Sequence, residues 1–246
     1  MSYNVTGSSG DGYKFANKMG LKLKNTKPSL TPCYVKDYPY SNLQGVSFKN
    51  ILLELWRDNK KIKSATGDLL FTHKNISGPV IIDNSRYFEK GDKLIINYSG
   101  IPYEMFSENI RKIINNNGNK MIKNIFDNPN FSERFIKFAL KYCSIDENKK
   151  CNLLIKNEIK NLINYLGKFE FEISKLEGYE RAMATSGGID LSELNKNTME
   201  TKKIKGLYFN NYRDLPKKKL EDEERYFIGH MVFEGDFNGT TFNVID

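Results

Sequence analysis

Hydrophobic and polar positions change period three times along the chain, and each change predicts a different kind of element. In residues 11–19, Phe15, Ala16 and Met19 share one face, Asp11 can cap, and Gly20 supplies a left-handed stop, which predicts a short helix. From residue 21 to 99 the period falls to two. Alternation at 46–48 and 51–56, a turn at 58–61 and a run at 68–72 predict a small antiparallel sheet or barrel. Within it, Ser77-Gly78-Pro79 ahead of Val80, Ile81 and Ile82 predicts a helix start, because proline's missing N–H costs nothing in a first turn. Gly91 and the strand-like 93–98 close that unit.

Residues 102–166 return to a helical period. Phe106, Ile110, Ile113 and Ile114 form one apolar stripe, and Phe131, Phe135, Phe138 and Ala139 a second. Leu153, Ile155, Ile159, Leu162, Ile163 and Leu166 form a third, so three core-forming helices are expected, separated at 115–119 and 144–150. Beyond Gly167, strand patterning resumes at 169–173 and 181–185. Gly187 and Gly188 then predict a tight turn before 189–194, and 206–209 a further strand. Residues 210–225 are polar and charged, which predicts an exposed loop or short solvated helix, and 226–229 carry another aromatic strand cue.

Composition narrows the function classes. The 246 residues are 39% hydrophobic and 13% aromatic, enough for one or two cored domains. Residues 1–14 lack the basic and apolar regions of a signal peptide, and no apolar run is long enough to span a bilayer, so a soluble, cytosolic protein with no membrane partner is expected. Cys33, Cys143 and Cys151 are odd in number and widely spaced, which predicts reduced, half-buried thiols rather than a metal site or redox pair. The formal charge of +8 raises the possibility of nucleic acid. Of the 38 basic residues, however, 31 are lysines scattered through every segment, and in sequence they form no stripe interleaved with aromatics, which argues against that partner.

Candidate chemistry is sparse. Thr6-Gly7-Ser8-Ser9-Gly10-Asp11-Gly12 precedes a helix, where backbone N–H groups attract a phosphate or a polar ring edge, but Asp11 would repel an anion. The loop lacks both the G-x-G-x-x-G spacing and the preceding strand of a dinucleotide cradle. His73 follows a strand without a carboxylate nearby in sequence, so a structural role outweighs acid–base catalysis. No second histidine or cysteine stands at metal-ligand spacing, and G-x-S-x-G is absent, so metal catalysis and serine hydrolysis are not expected and no catalytic residue is assigned.

Three segments are more specific together than singly: TGSSGDGY at 6–13, LLFTHKNISGP at 69–79, and the stretch from GYERAMATSGGIDL to KGLYF across 178–209. In this order the chain resembles, over about residues 1–209, the bacterial FAD-dependent oxidoreductases that include aminoacetone-oxidase-like enzymes and bile-acid reductases. The resemblance implies an α+β chain: an antiparallel, barrel-like β insert plus a small helical bundle, with remnants of an α/β Rossmann-type FAD domain at both ends. The implied divisions are a Rossmann-like remnant at 1–24, an insert at 25–177, and an FAD-domain segment with a divergent tail at 178–246. Within the insert, 25–100 would be β-rich, 101–167 helical and 168–177 a return strand.

The family's pyrophosphate cradle would precede Met1, so a truncated chain is expected, either decayed or one half of a split enzyme whose partner polypeptide carries that unit. The family's closing motif is also altered. After the G-L-Y-F strand it would resume at 226–229, with His230 where a glutamate is expected, and 238–243 only loosely matches the flavin-approaching turn. The resemblance implies FAD as cofactor, NAD(P)H as electron partner and hydride transfer to an unknown small molecule. It assigns Gly7, Ser8, Gly10, Asp11, Gly12, Gly229, Gly239, Thr240 and Asn243 to cofactor contact. Weak FAD binding by the chain alone follows, and the alternative is a non-catalytic interaction module built from the insert.

Overall fold

A computed structural model describes Ser2, residues 9–210 and residues 230–233. The chain divides into two compact units, one of residues 32–176 and one of residues 1–31 with 177–246.

The first of these is built on a closed six-stranded antiparallel barrel. Its strands are β2 (Cys33–Val35), β3 (Ser47–Arg57), β4 (Lys60–Phe71), β5 (Ile76–Ser77), β6 (Lys93–Asn97) and β7 (Phe169–Leu176), in the order β2-β5-β4-β3-β6-β7. The β3–β4 hairpin turns on Asp58 and Asn59, both at positive φ (47° and 60°), as a two-residue turn compatible with strand twist requires. Alternation then points Phe48, Ile51, Leu53 and Leu55 inward to meet Leu69 and Phe71, Leu94 and Ile96, and Phe171 and Ile173, all buried. A four-residue helix, α2 (Pro79–Ile82), follows β5 with proline in its first turn, as the sequence predicts.

Three helices lie between β6 and β7: α3 (Tyr103–Asn116), α4 (Glu133–Tyr142) and α5 (Lys156–Gly167). Helix α4 starts where Ser132 Oγ accepts from the Phe135 N–H, and its buried face carries Phe135, Ile136, Ala139 and Leu140. Phe135 packs edge-on to Phe48 (ring centroids 4.7 Å) and Tyr98 (5.0 Å), while Tyr40 stacks on Phe71 (4.2 Å). One aromatic core therefore joins barrel and helices. Gly167 allows α5 to approach α3, since a Cβ there would sit 2.8 Å from Phe106 Cδ1.

The third apolar stripe needs correction. Helix α5 begins at Lys156, and Leu153 and Ile155 are each 60% exposed, because Leu153 belongs to a separate 3-10 turn, Cys151–Leu153, and Ile155 is the extended N-cap ahead of the helix. The thiols differ too, since Cys33 and Cys151 are fully buried and only Cys143 is partly so.

The other unit contains α1 (Asp11–Lys18) and the antiparallel pair β1 (Leu23–Ser29) with β8 (Ala184–Ile189). A second antiparallel pair joins β9 (Leu207–Asn210) to β10 (His230–Phe233). Its apolar cluster gathers Ala16, Leu21, Ile189, Leu194, Leu207 and Phe209. Both strand pairs are antiparallel, so the described residues contain no parallel Rossmann sheet. Two local readings change: Gly10, not Asp11, is the N-cap of α1, and Gly187 and Gly188 lie inside β8 rather than in a turn. Both have positive φ, and β1 bulges opposite them between Lys24 and Lys27.

Candidate functional site

The flanking unit brings the first and third sequence motifs together. Gly10 adopts φ 78°, a left-handed conformation that glycine tolerates, and turns the chain into α1 with no side-chain cap. Asp11, the first helical residue, accepts from Ser9 Oγ (2.6 Å) and Lys14 Nζ (2.7 Å), and Lys14 foremost, then Ser9, holds its carboxyl below the usual carboxylate range. Gly12 follows in the first turn. Tyr13 lies against β8 only because Gly188 has no Cβ, which would fall 2.9 Å from Tyr13 Cε1. A Cβ on Gly187 would fall 2.2 Å from the Asn25 carbonyl oxygen. Burial, aided by nearby Tyr179, raises the Tyr13 phenol, and Tyr179 donates to Thr26 Oγ1 at 3.1 Å.

This corner fits only part of an extended dinucleotide. The N-terminal N–H groups of α1 would attract a phosphate, but the half-exposed, ionised Asp11 sits among them and repels one. What suits the corner is a hydrogen-bond donor such as a sugar hydroxyl or a ring N–H. The sequence has no G-x-G-x-x-G, so the described residues do not form a pyrophosphate cradle. Gly7, Ser8, Gly229, Gly239, Thr240 and Asn243 lie outside the described residues.

In the barrel unit, the second motif is structural. Thr72 Oγ1 accepts from the Asn75 N–H (3.0 Å), and Tyr38 donates to the Thr72 carbonyl (2.8 Å), which fixes a turn on which His73 is exposed. Gly78, at φ 96°, crosses β4 so closely that a Cβ would lie 2.6 Å from the Asp68 carbonyl oxygen. No group of three or more His, Cys, Asp or Glu suited to a metal occurs among the described residues.

Sequence reasoning missed a cleft of about 370 Å³ where α4 and α5 end beside β7, bounded by Tyr142, Cys143, Asn161, Asn164, Lys168 and Phe169 among others. Tyr142 is 54% exposed, yet its ring is held 4.8 Å from Tyr165 and 5.7 Å, edge-on, from Phe169. Asn164 Oδ1 accepts from Tyr103 OH (2.5 Å), which leaves the amide N–H₂ to offer, and Lys168 Nζ lies 4.6 Å over the Tyr103 ring. The lining carboxylate, Glu170, is paired with Lys93 Nζ (2.8 Å). Burial pushes the Cys143 thiol up to about 11, so it is not a nucleophile near neutral pH. The signal for this cleft was the recurrence of lysine and asparagine along 156–168, opposite the apolar stripe that dominates that segment.

Residues 27–184 match a family model described as "HI0933-like protein barrel and H2TH domain". Among curated proteins, the chain is 27% identical over 200 residues to a ribosomal RNA dihydrouridine synthase of Haemophilus influenzae, covering 80% of this chain and 48% of that protein. It is 29% identical over 211 residues to the ribosomal RNA dihydrouridine synthase of Escherichia coli, covering 82% and 49%. It is also 26% identical over 209 residues to a 3-dehydro-bile acid delta(4,6)-reductase of Clostridium scindens, covering 82% and 51%. The chain thus spans about half the length of the curated relatives it matches.

Proposed function

Since the chain belongs to the family of HI0933-like proteins with a barrel and H2TH domain, we propose that it is part of a flavin-dependent reductase that saturates a conjugated carbon–carbon double bond. The family match over residues 27–184 carries this reading. The relatives' names support the chemistry, since making dihydrouridine and reducing a delta(4,6) system both add two hydrogens across such a bond. When bound, FAD would supply the hydride, recharged by NAD(P)H. This chain's share is to bind and orient. Asp11 would accept a hydroxyl or ring N–H at the start of α1, with Gly10 and Gly12 beside it, and Gly188 would let Tyr13 wall that corner.

The pyrophosphate cradle, in this reading, comes from outside the described residues, on a preceding segment or a separate polypeptide. The Asp11 carboxylate supports that division, because it disfavours phosphate at the helix start of α1. The test is to purify the chain and record flavin absorbance, alone and with a polypeptide carrying G-x-G-x-x-G. Little flavin alone and stoichiometric flavin in the pair is the expected result. A stoichiometrically yellow single chain would overturn the division, and no flavin in either sample would overturn the reading itself.

A further inference from the structure

We infer that the cleft at the ends of α4 and α5 is a binding site for single-stranded nucleic acid, taking one unstacked base while the strand's phosphates follow α5. Folding gathers lysines that look scattered in the sequence. On a helix of 3.6 residues per turn, Lys156, Asn157, Lys160, Asn161 and Asn164 fall on one contiguous face of α5 about 12 Å long, and Lys168 follows just past the helix end. All are exposed except the half-buried Asn164. The carboxylate carried by α5, Glu158, is off that face and bound to Lys149 Nζ (2.8 Å) and the Ile155 N–H (2.9 Å). The face is therefore cationic and rich in amides, which suits phosphates that position a strand and base edges that need donors and acceptors.

This face ends in an aromatic cleft, and that conjunction selects the ligand. A strand without a complement exposes bases, and such bases are held by stacking on aromatic rings beside a basic groove. Tyr142 supplies a half-exposed ring fixed from behind by Tyr165 and Phe169, so little side-chain freedom is lost on stacking. Asn161 and the free N–H₂ of Asn164 can meet a base edge, and Lys168, which lines the cleft with its Nζ over the Tyr103 ring, carries the charge for the attached phosphate. The same lining suits a fused apolar ring system poorly, because amides, a lysine and a paired carboxylate occupy much of it. A duplex hides its base faces and would gain only the phosphate contacts.

The proposal rests on the flavin-reductase reading only in taking RNA as the strand to test, and its readout needs no flavin, so either can fail alone. Labelled short single-stranded RNA is titrated by fluorescence anisotropy against the full chain and its variants, with thermal melts checking that each variant folds. Tyr142→Ala should weaken binding on the order of tenfold, the loss of one stacked base, while Tyr142→Phe should bind as the parent does. Lys160→Gln and Lys168→Gln should each lower the slope of log affinity against log salt by about one. Duplex RNA should bind more weakly than the single strand and be indifferent to Tyr142→Ala. Unchanged affinity in Tyr142→Ala, an equal loss in Tyr142→Phe, or duplex bound as tightly as single strand would overturn it.

Discussion

The barrel unit and the flanking unit bury their apolar surface in contrasting ways. In the barrel, every strand pairs on both sides and a continuous core runs from Cys33 to Ile173, with the rings of Tyr40, Phe48, Phe71, Tyr98 and Phe135 interlocked. In the flanking unit, the described strands form two separate pairs over a cluster of six buried residues. Closure makes the barrel's order depend on packing; the flanking unit depends on a few backbone positions that only glycine fills. Tolerance to substitution should therefore differ in kind between them.

The sharpest break of that contrast is Phe135→Ala. It empties the centre of the aromatic core and should cost about 3–5 kcal/mol, read as a lowered denaturation midpoint. A loss under about 1 kcal/mol would mean that the core can collapse around the hole and is looser than its packing indicates. Next is Gly187→Ala, where positive φ and the Asn25 carbonyl both oppose a Cβ. A cost of about 1–3 kcal/mol is expected, appearing as faster hydrogen exchange in 23–29 and 184–189 while 47–71 stays protected. Faster exchange spread over both units would break the comparison.

The smallest effect is one of pH. The folded Cys143 thiol titrates near 11 against an ordinary value of about 9, so on unfolding it would release its proton earlier. The unfolded state then binds fewer protons between those values. Stability should fall slightly as pH rises from about 9 towards 11, and Cys143→Ser should flatten that decline. An unchanged slope in the variant would show that the thiol is wetter when folded than its partial burial implies.

Much of this architecture is legible in the sequence, because alternation in 46–72 and the 3.6 period in 102–166 record which side chains face a core. Closure is not, because nothing local tells Cys33 that its neighbours will be Ile76 and Leu176. Leu153 and Ile155 misled for a related reason: a period counts apolar positions but cannot see that a 3-10 turn and an extended N-cap leave these two in solvent. Gly187 and Gly188 are turn residues by composition, yet a bulge uses the same left-handed freedom. The cleft was hidden because its residues come from α4, α5 and β7, and the lysine–asparagine face became visible only against the apolar one that it opposes. Of the nine residues assigned to cofactor contact, Gly10, Asp11 and Gly12 fall within the described residues, and they form a donor-accepting corner rather than a phosphate cradle.

The pairing of β2 with β7 also has a consequence in time. The β3–β4 hairpin needs only its own short turn and can form as soon as Phe71 leaves the ribosome, whereas Cys33 must wait for Leu176, after all three helices have been made. Barrel closure is then the late, slow event of synthesis, since contacts distant along the chain cost loop entropy before they return anything. Until it happens, β2 and β6 present unpaired edges, so a ribosome stalled near residue 168 would hold the most aggregation-prone form of this protein.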